Sequence, residues 1–250
     1  MDTDPPVRTT QMAMSEHTAK AFDIDLQELN RMIAEMGGLA EKLVADSVEA
    51  LARRDSDAAQ DVVAADPSID NLQREIEEKA VLTIARRQPM AVDLRDIVGA
   101  LRVSNDLERI GDLAKNIAKR VIALDGEFHP TKLLRGVEHM GALVLGQLKQ
   151  VLDSYGSHDL EKALAVWNGD EQVDAMCTSL FRELLTYMME DPRNITFCIH
   201  LMFCAKNIER MGDHATNIAE TVYYMIEGRP IAAPRPKGDT TSFAATAAQG

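Results

Sequence analysis

The chain has 250 residues, and 40 acidic against 27 Lys and Arg side chains give a formal charge of −13, which excludes the clustered positive surface that grips nucleic acid or an anionic bilayer. Aromatic residues are only 4% and Met is plentiful at 13, and no alternating Val, Ile and Tyr runs occur, so the composition points to an all-α chain. Three cysteines without CxxC spacing, Cys177, Cys198 and Cys204, indicate neither a disulfide framework nor a thiolate zinc site.

Residues 1–15 open with MDTDPPVRTT, which is too polar for a signal peptide and reads as a disordered N-terminal tail. From Glu16 to about Arg54 the apolar residues Phe22, Leu26, Leu29, Ile33, Met36, Leu43, Val48 and Leu51 recur at threes and fours, the spacing of one long amphipathic helix. A polar break at Asp55 to Asp57 starts a second helix that runs to Arg87. Pro67 interrupts this helix. Either Asp66 caps a fresh helix there or the helix kinks and continues. Gln88, Pro89 and Met90 form a turn, a third helix runs from Val92 to about residue 125, and residues 126–130 are a linker.

The plan then repeats, with helices expected near 131–155, 158–190 and 193–228, and turns at Tyr155 to His158 and Asp191–Pro192. This makes residues 16–125 and 131–228 two tandem three-helix bundles. The Pro-containing stretch 229–250 reads as a disordered C-terminal tail. No apolar run is long enough to span a membrane, and the expected setting is a reducing cytoplasm.

The third helix of each unit carries the same text. NDLERIGDLAKNIAK at Asn105 to Lys119 and KNIERMGDHATNIAE at Lys206 to Glu220 align at an offset of 101. They share Glu108/Glu209, Arg109/Arg210, Gly111/Gly212 and Asp112/Asp213. On a helix, carboxylates four apart lie on one face about 5–6 Å from each other, a spacing that suits bridging a cation. Each second helix carries its own DxxxD, Asp66/Asp70 and Asp170/Asp174. Asp57/Asp61 is a further DxxxD without a counterpart in the other unit.

Hairpin arithmetic aligns the two motifs of each unit. About Pro89, Asp70 and Glu108 are both nineteen residues away, and Asp66 and Asp112 both twenty-three. In the second unit, Asp174 with Glu209 and Asp170 with Asp213 are each symmetric about the Asp191/Pro192 midpoint. Four carboxylates at one level repel unless something positive lies between them, which Arg109, Arg210 or a hard or borderline metal ion would supply. Projected at 100° per residue, Glu108 and Asp112 lie opposite Val103, Ile110, Ile117 and Val121, and are expected to point outward. Gly111 and Gly212 cost helix stability of roughly 1 kcal/mol each relative to Ala and mark a close approach, either by a ligand or by helix packing. His139 is within reach of the second cluster but is not expected to be a ligand, His214 is not shared with the first unit, and Met188, Met189, Met202 and Met211 read as core filling.

The duplicated three-helix plan, RQPMAVDLRDI leading into NDLERIGDLAKNIA, and FCAKNIERMGDHATNIAE together resemble the PhoU family, over about residues 16–228. The resemblance implies two three-helix bundles related by a pseudo-twofold, with E/DxxxD motifs that bind multinuclear iron or zinc at the surface. Carried over, the metal ligands would be Asp66, Asp70, Glu108 and Asp112 in one bundle and Asp170, Asp174, Glu209 and Asp213 in the other. It also implies a homodimeric negative regulator of the phosphate-starvation response, which couples the phosphate ABC transporter and its ATPase subunit to a PhoR-type sensor histidine kinase. The chain lacks a Walker loop, a nucleophile elbow and a Gly-rich phosphate cradle, in keeping with an adaptor. A carboxylate-bridged di-metal enzyme is the alternative, but none of the six His follows a Glu by three residues as ferritin-like sites require. A metal-free helical module is the other.

Overall fold

The computed structural model describes residues 7–124 and 133–235, with side chains from residue 21 onward. Six helices follow one another: α1 (Val7–Arg53), α2 (Ser56–Arg87), α3 (Val92–Ala123), α4 (Leu134–Ser157), α5 (Leu160–Glu190) and α6 (Ile195–Glu227). A 3-10 turn, Pro192–Asn194, leads into α6. No strand occurs among the described residues. The helix order is that expected from the apolar spacing, but α1 begins at Val7 instead of near Glu16. The expected linker 126–130 lies outside the described residues.

Local chemistry sets the helix ends. Asp55 accepts from the Ala58 N–H at 2.9 Å and Asp159 from the Lys162 N–H at 3.1 Å, so the second helix of each unit has an aspartate N-cap. Pro67 lies inside α2, which runs through it unbroken. Asp66 is therefore a helical residue and not a cap, because tertiary packing of the flanking turns outweighs the one hydrogen bond that proline removes.

Within each unit the helices pack on one another, α1, α2 and α3 in the first and α4, α5 and α6 in the second. Between the units, α3 lies on α6 and α1 on α4. Both pairs are antiparallel: Arg102 meets Tyr224 while Arg120 meets Phe203, and Asn30 meets Tyr155 while Val48 meets Gly141. The helix-to-helix packing of the first unit recurs in the second, and corresponding helices meet across the units, which is the pseudo-twofold. One apolar core runs through both bundles, with Ile33, Ile69, Ile97, Ile110, Met140, Phe197 and Met211 almost wholly buried. Cys177, Cys198 and Cys204 belong to it as buried thiols. Met211 is core as expected, whereas Met189 is 84% exposed at the α5–α6 turn.

Packing within the bundle accounts for the first of the duplicated glycines, since Gly111 is tight whereas Gly212 has room for a methyl group at ordinary contact distance. A Cβ on Gly111 would lie 3.1 Å from two carbons of Ile69, and one on Gly212 3.5–3.7 Å from Gln147, Val144 and Val173. The units also approach closely at Gly141 of α4, where a Cβ would lie 2.7 and 2.8 Å from the two methyls of Val48. Both methyls crowd the same point, so rotating the valine gives no relief. Gly141→Ala is expected to destabilise the protein by about 1–2 kcal/mol, overpacking outweighing the gain in helix propensity. In a Val48→Ala background the same change should stabilise, and a double-mutant cycle by thermal melting checks the reversal of sign.

Candidate functional site

Each unit brings its acidic pairs together along the seam between its second and third helices, at the levels the hairpin spacing requires. In the first seam Lys115 Nζ lies 2.7 Å from Asp66 Oδ2 and 2.5 Å from Asp112 Oδ1, so one ammonium joins α2 to α3. One turn away, Glu108 is held by Arg109 at 3.3 Å, and Asp70 and Asp112 are close enough to act on its charge. In the second seam Arg235 fills the corresponding place, with Nε 2.9 Å from Asp170 Oδ2 and Nη2 2.7 Å from Asp213 Oδ1. Glu209 receives Lys206 Nζ at 2.8 Å and feels Asp174 and Asp213.

The orientation differs from that read off the helical projection. Asp66, Asp170, Asp174 and Glu209 are buried, and Asp70, Glu108, Asp112 and Asp213 are half-buried. The reason is that α3 and α6 each pack against three neighbouring helices. The side opposite the apolar stripe therefore meets the second helix of its own hairpin, while Arg109 and Arg210, with Asn105, Asn116 and Lys119 of α3, reach open solvent. Asp57 and Asp61, which lack a counterpart, are exposed on α2.

Burial has an electrostatic consequence. It raises the Glu209 carboxyl above its ordinary value, against the lowering by Lys206 and with the further raising by Asp213 and Asp174. Glu108 is raised in the same way, by burial first, with Arg109 opposing and Asp112 and Asp70 reinforcing. The Asp66 and Glu209 carboxylates each keep one buried oxygen, Oδ1 and Oε2, without a hydrogen-bond partner. Among the described residues, Lys115 and Arg109 pair with the acids of the first seam and Arg235 and Lys206 with those of the second, so each seam carries more carboxylates than these cations neutralise.

In chemistry this donor set fits a hard or borderline cation: every donor is a carboxylate oxygen, two are unsatisfied, and neither His nor Cys is required. As arranged, however, no group of three or more His, Cys, Asp or Glu among the described residues could hold a metal ion. Lys115 and Arg235 draw the paired aspartates to themselves. His139 is exposed on α4.

Two contributors escaped the sequence reading. Lys115 stands in the duplicated segment, but its partner in the second copy is Thr216, so the motif comparison passed over it. Arg235 lies in the stretch expected to be disordered. A third feature joins the units: Asp106 accepts from Asn217 Nδ2 at 3.3 Å and lies 2.8 Å from His214 Nδ1. The substitution of His214 for Leu113 is thus a contact across the pseudo-twofold and not an idiosyncrasy of the second seam.

Paired three-helix bundles, antiparallel about a pseudo-twofold and each with an acidic seam beside a duplicated E-R-x-G-D segment, define a class of helical repeat protein. The PhoU domain model matches residues 33–121 and again residues 137–222, and the chain belongs to the PhoU family. It is 61% identical over 226 residues to a phosphate-specific transport system accessory protein PhoU homolog of Rhizobium meliloti, covering 90% of this chain and 95% of that one. It is 53% identical to the protein of the same name from Caulobacter vibrioides, over 92% of this chain and all of the other. The crystal structure of PhoU from Pseudomonas aeruginosa superposes with a TM-score of 0.78 at 41% identity, over 83% of this chain and 100% of that chain. The phosphate transport system regulatory protein PhoU from Streptococcus pneumoniae gives the same TM-score at 28% identity, over 85% and 100%.

A carboxyl raised by burial binds its proton more readily folded than unfolded, so its contribution to stability is present at low pH and lost as pH rises through the folded value. At pH 7 the ionised Glu209 therefore weighs against the fold. Glu209→Gln is expected to raise the melting temperature at pH 7, with the difference shrinking as pH falls through the raised folded value toward the ordinary glutamate value of 4.5. Paired melts at pH 7 and pH 4 measure it.

Proposed function

We propose that this chain is a non-enzymatic accessory protein of phosphate transport. In the cytoplasm it would restrain the phosphate-starvation response and phosphate uptake, coupling a phosphate ABC transporter and its ATPase subunit to a PhoR-type sensor histidine kinase. Family membership and the names carried by its relatives support the phosphate link. The acidic surface, with a net charge of −13, suits basic partner surfaces. No described helix is long and apolar enough to cross a membrane, so membrane association would pass through partners, and the working form would be a homodimer.

The observation that carries the site reading is the pair of acidic seams, each matched in level and each short of positive charge. Asp66, Asp70, Glu108 and Asp112 would hold iron or zinc in one bundle, and Asp170, Asp174, Glu209 and Asp213 in the other. Bound there, the metal would supply positive charge and a fixed docking surface instead of reaction chemistry. Glu209 and Asp66 would contribute the oxygens now unsatisfied, and Arg109 and Arg210 would present the rim to a partner.

Two measurements test this. Protein purified without chelator or affinity tag should carry iron or zinc by elemental analysis, and Glu108→Ala with Asp112→Ala should lower the bound metal by about half, since each bundle has its own ligands. Total loss would mean a shared site, and no metal in the parent protein would remove the metal from the reading. In phosphate-replete cells, the combined variant Glu108→Gln, Asp112→Asn, Glu209→Gln and Asp213→Asn, with helicity confirmed, should derepress phosphate-starvation genes. Normal repression by that folded variant would show that the seams do not signal.

A further inference from the structure

The two seams are neutralised by different means. Lys115 is part of α3, three residues from its partner Asp112, so its backbone is already fixed by the helix. Its counterpart in α6 is Thr216, a neutral residue that donates to Asp170 Oδ1 at 3.1 Å. The charge missing there comes from Arg235, which lies beyond the end of α6 on seven residues of non-helical chain.

The path of that chain is physically specified. Gly228 ends α6 with φ of 71°, a left-handed turn that favours glycine, and the Arg95 guanidinium lies against it. The chain then doubles back along α6. Asp213 lies fourteen residues, about 21 Å of helix, before Glu227, and the seven residues from Arg229 to Arg235 reach about 23 Å when extended. Pro230 and Pro234 favour the extended form, and Ile231 packs against the core. A proline string that reads as disorder is thus suited to an extended strap.

At its end the guanidinium is read on several sides: Nε by Asp170, Nη2 by the Asp213 side chain and its carbonyl at 3.3 Å, and Nη1 by Asn217 Oδ1 at 3.3 Å. Asp170 is 2% exposed. Such multidentate recognition suits the planar fork of arginine and not the point charge of lysine. Beside it, Glu209 Oε2 remains buried and unpartnered, an acceptor the strap does not satisfy.

We infer that the α5–α6 seam is a guanidinium site that the chain fills with its own Arg235, and that this occupant is exchangeable for the metal ion. The first seam has no such strap, because its competing charge, Lys115, belongs to α3 itself. Arg235 and a metal ion need the same oxygens of Asp170 and Asp213, so binding of one excludes the other. The exchange rests on the metal reading above, whereas the occupancy of the site by Arg235 does not.

The test uses the full chain and zinc(II) as the probe. In the wild-type protein the Arg235 Nε–Hε group should give a discrete, exchange-protected NMR signal, assigned by its absence in Arg235→Lys, and zinc should abolish it. By calorimetry, zinc affinity at the second seam should rise roughly tenfold or more in Arg235→Ala through loss of the competing charge, with Asp170→Asn added to that variant removing the gain and the first seam unchanged. An unprotected Arg235 signal would overturn the occupancy. A protected signal that persists with zinc bound at the second seam, or an Arg235→Ala affinity equal to wild type while the first seam binds, would overturn the exchange alone. Absence of zinc binding by every variant would overturn the metal reading and the exchange with it, leaving the protected arginine as a structural clasp.

Discussion

Because α3 and α6 each pack against three other helices, little of their surface is left to solvent, and the polar residues of the duplicated segment must find partners inside the fold. An aspartate on such a helix cannot simply turn outward. It lies in the seam with the adjacent helix of its hairpin, where desolvation penalises the ionised carboxylate and a counter-charge becomes necessary. The acidic seams, their cations, the raised Glu108 and Glu209 and the cross-unit Asp106–His214 contact all follow from this crowding.

Duplication supplied the framework and divergence the asymmetry. Both units keep the Glu and Asp of the third helix, the Asp pair of the second, and the aspartate N-cap. They differ in where the balancing charge originates: within the helix as Lys115, or from a strap ending in Arg235. A helical lysine costs little extra ordering, since its backbone is already fixed. A strap must order seven residues, which works against it by about 1–2 kcal/mol for each backbone residue, offset by Ile231 on the core, by prolines already restricted in the unfolded chain, and by the buried ion pairs. The second seam is therefore the more easily opened of the two.

The arrangement also bears on how a helical repeat protein without a reactive cleft could respond to its surroundings. Opposed charges held at a helix–helix seam couple ion occupancy to packing, because exchanging one cation for another changes what joins α5 to α6. Arg109 and Arg210 stand at the outer edge of these seams, where a change in seam occupancy would be presented to a docked surface. Such coupling needs no long pathway, since the ligands and the rim belong to the same helical turn.

Much of this was legible in one dimension. The 3.6-residue periodicity located the six helices, the repeat at 101 placed Glu108 with Glu209 and Asp112 with Asp213, and counting from the hairpin turns put each acidic pair of the second helix level with its partner on the third. These are local or symmetry-derived properties, set by helix geometry and by short turns. What only the tertiary structure decided was the surroundings of each residue. The helical projection assigned the carboxylates to the outside because it knows one apolar face, whereas α3 and α6 have three neighbours and bury the other faces as well. The pairing of Asp106 with His214 needed the docking of one unit on the other, and Pro67 was kept in α2 by the packing of that helix on α1 and α3. Arg235 is the clearest case: its proline-rich surroundings carry no helical or strand signal, and nothing local connects it to Asp170, 65 residues earlier. Only the folded α5–α6 seam, with its excess of negative charge, gives that arginine a place to go.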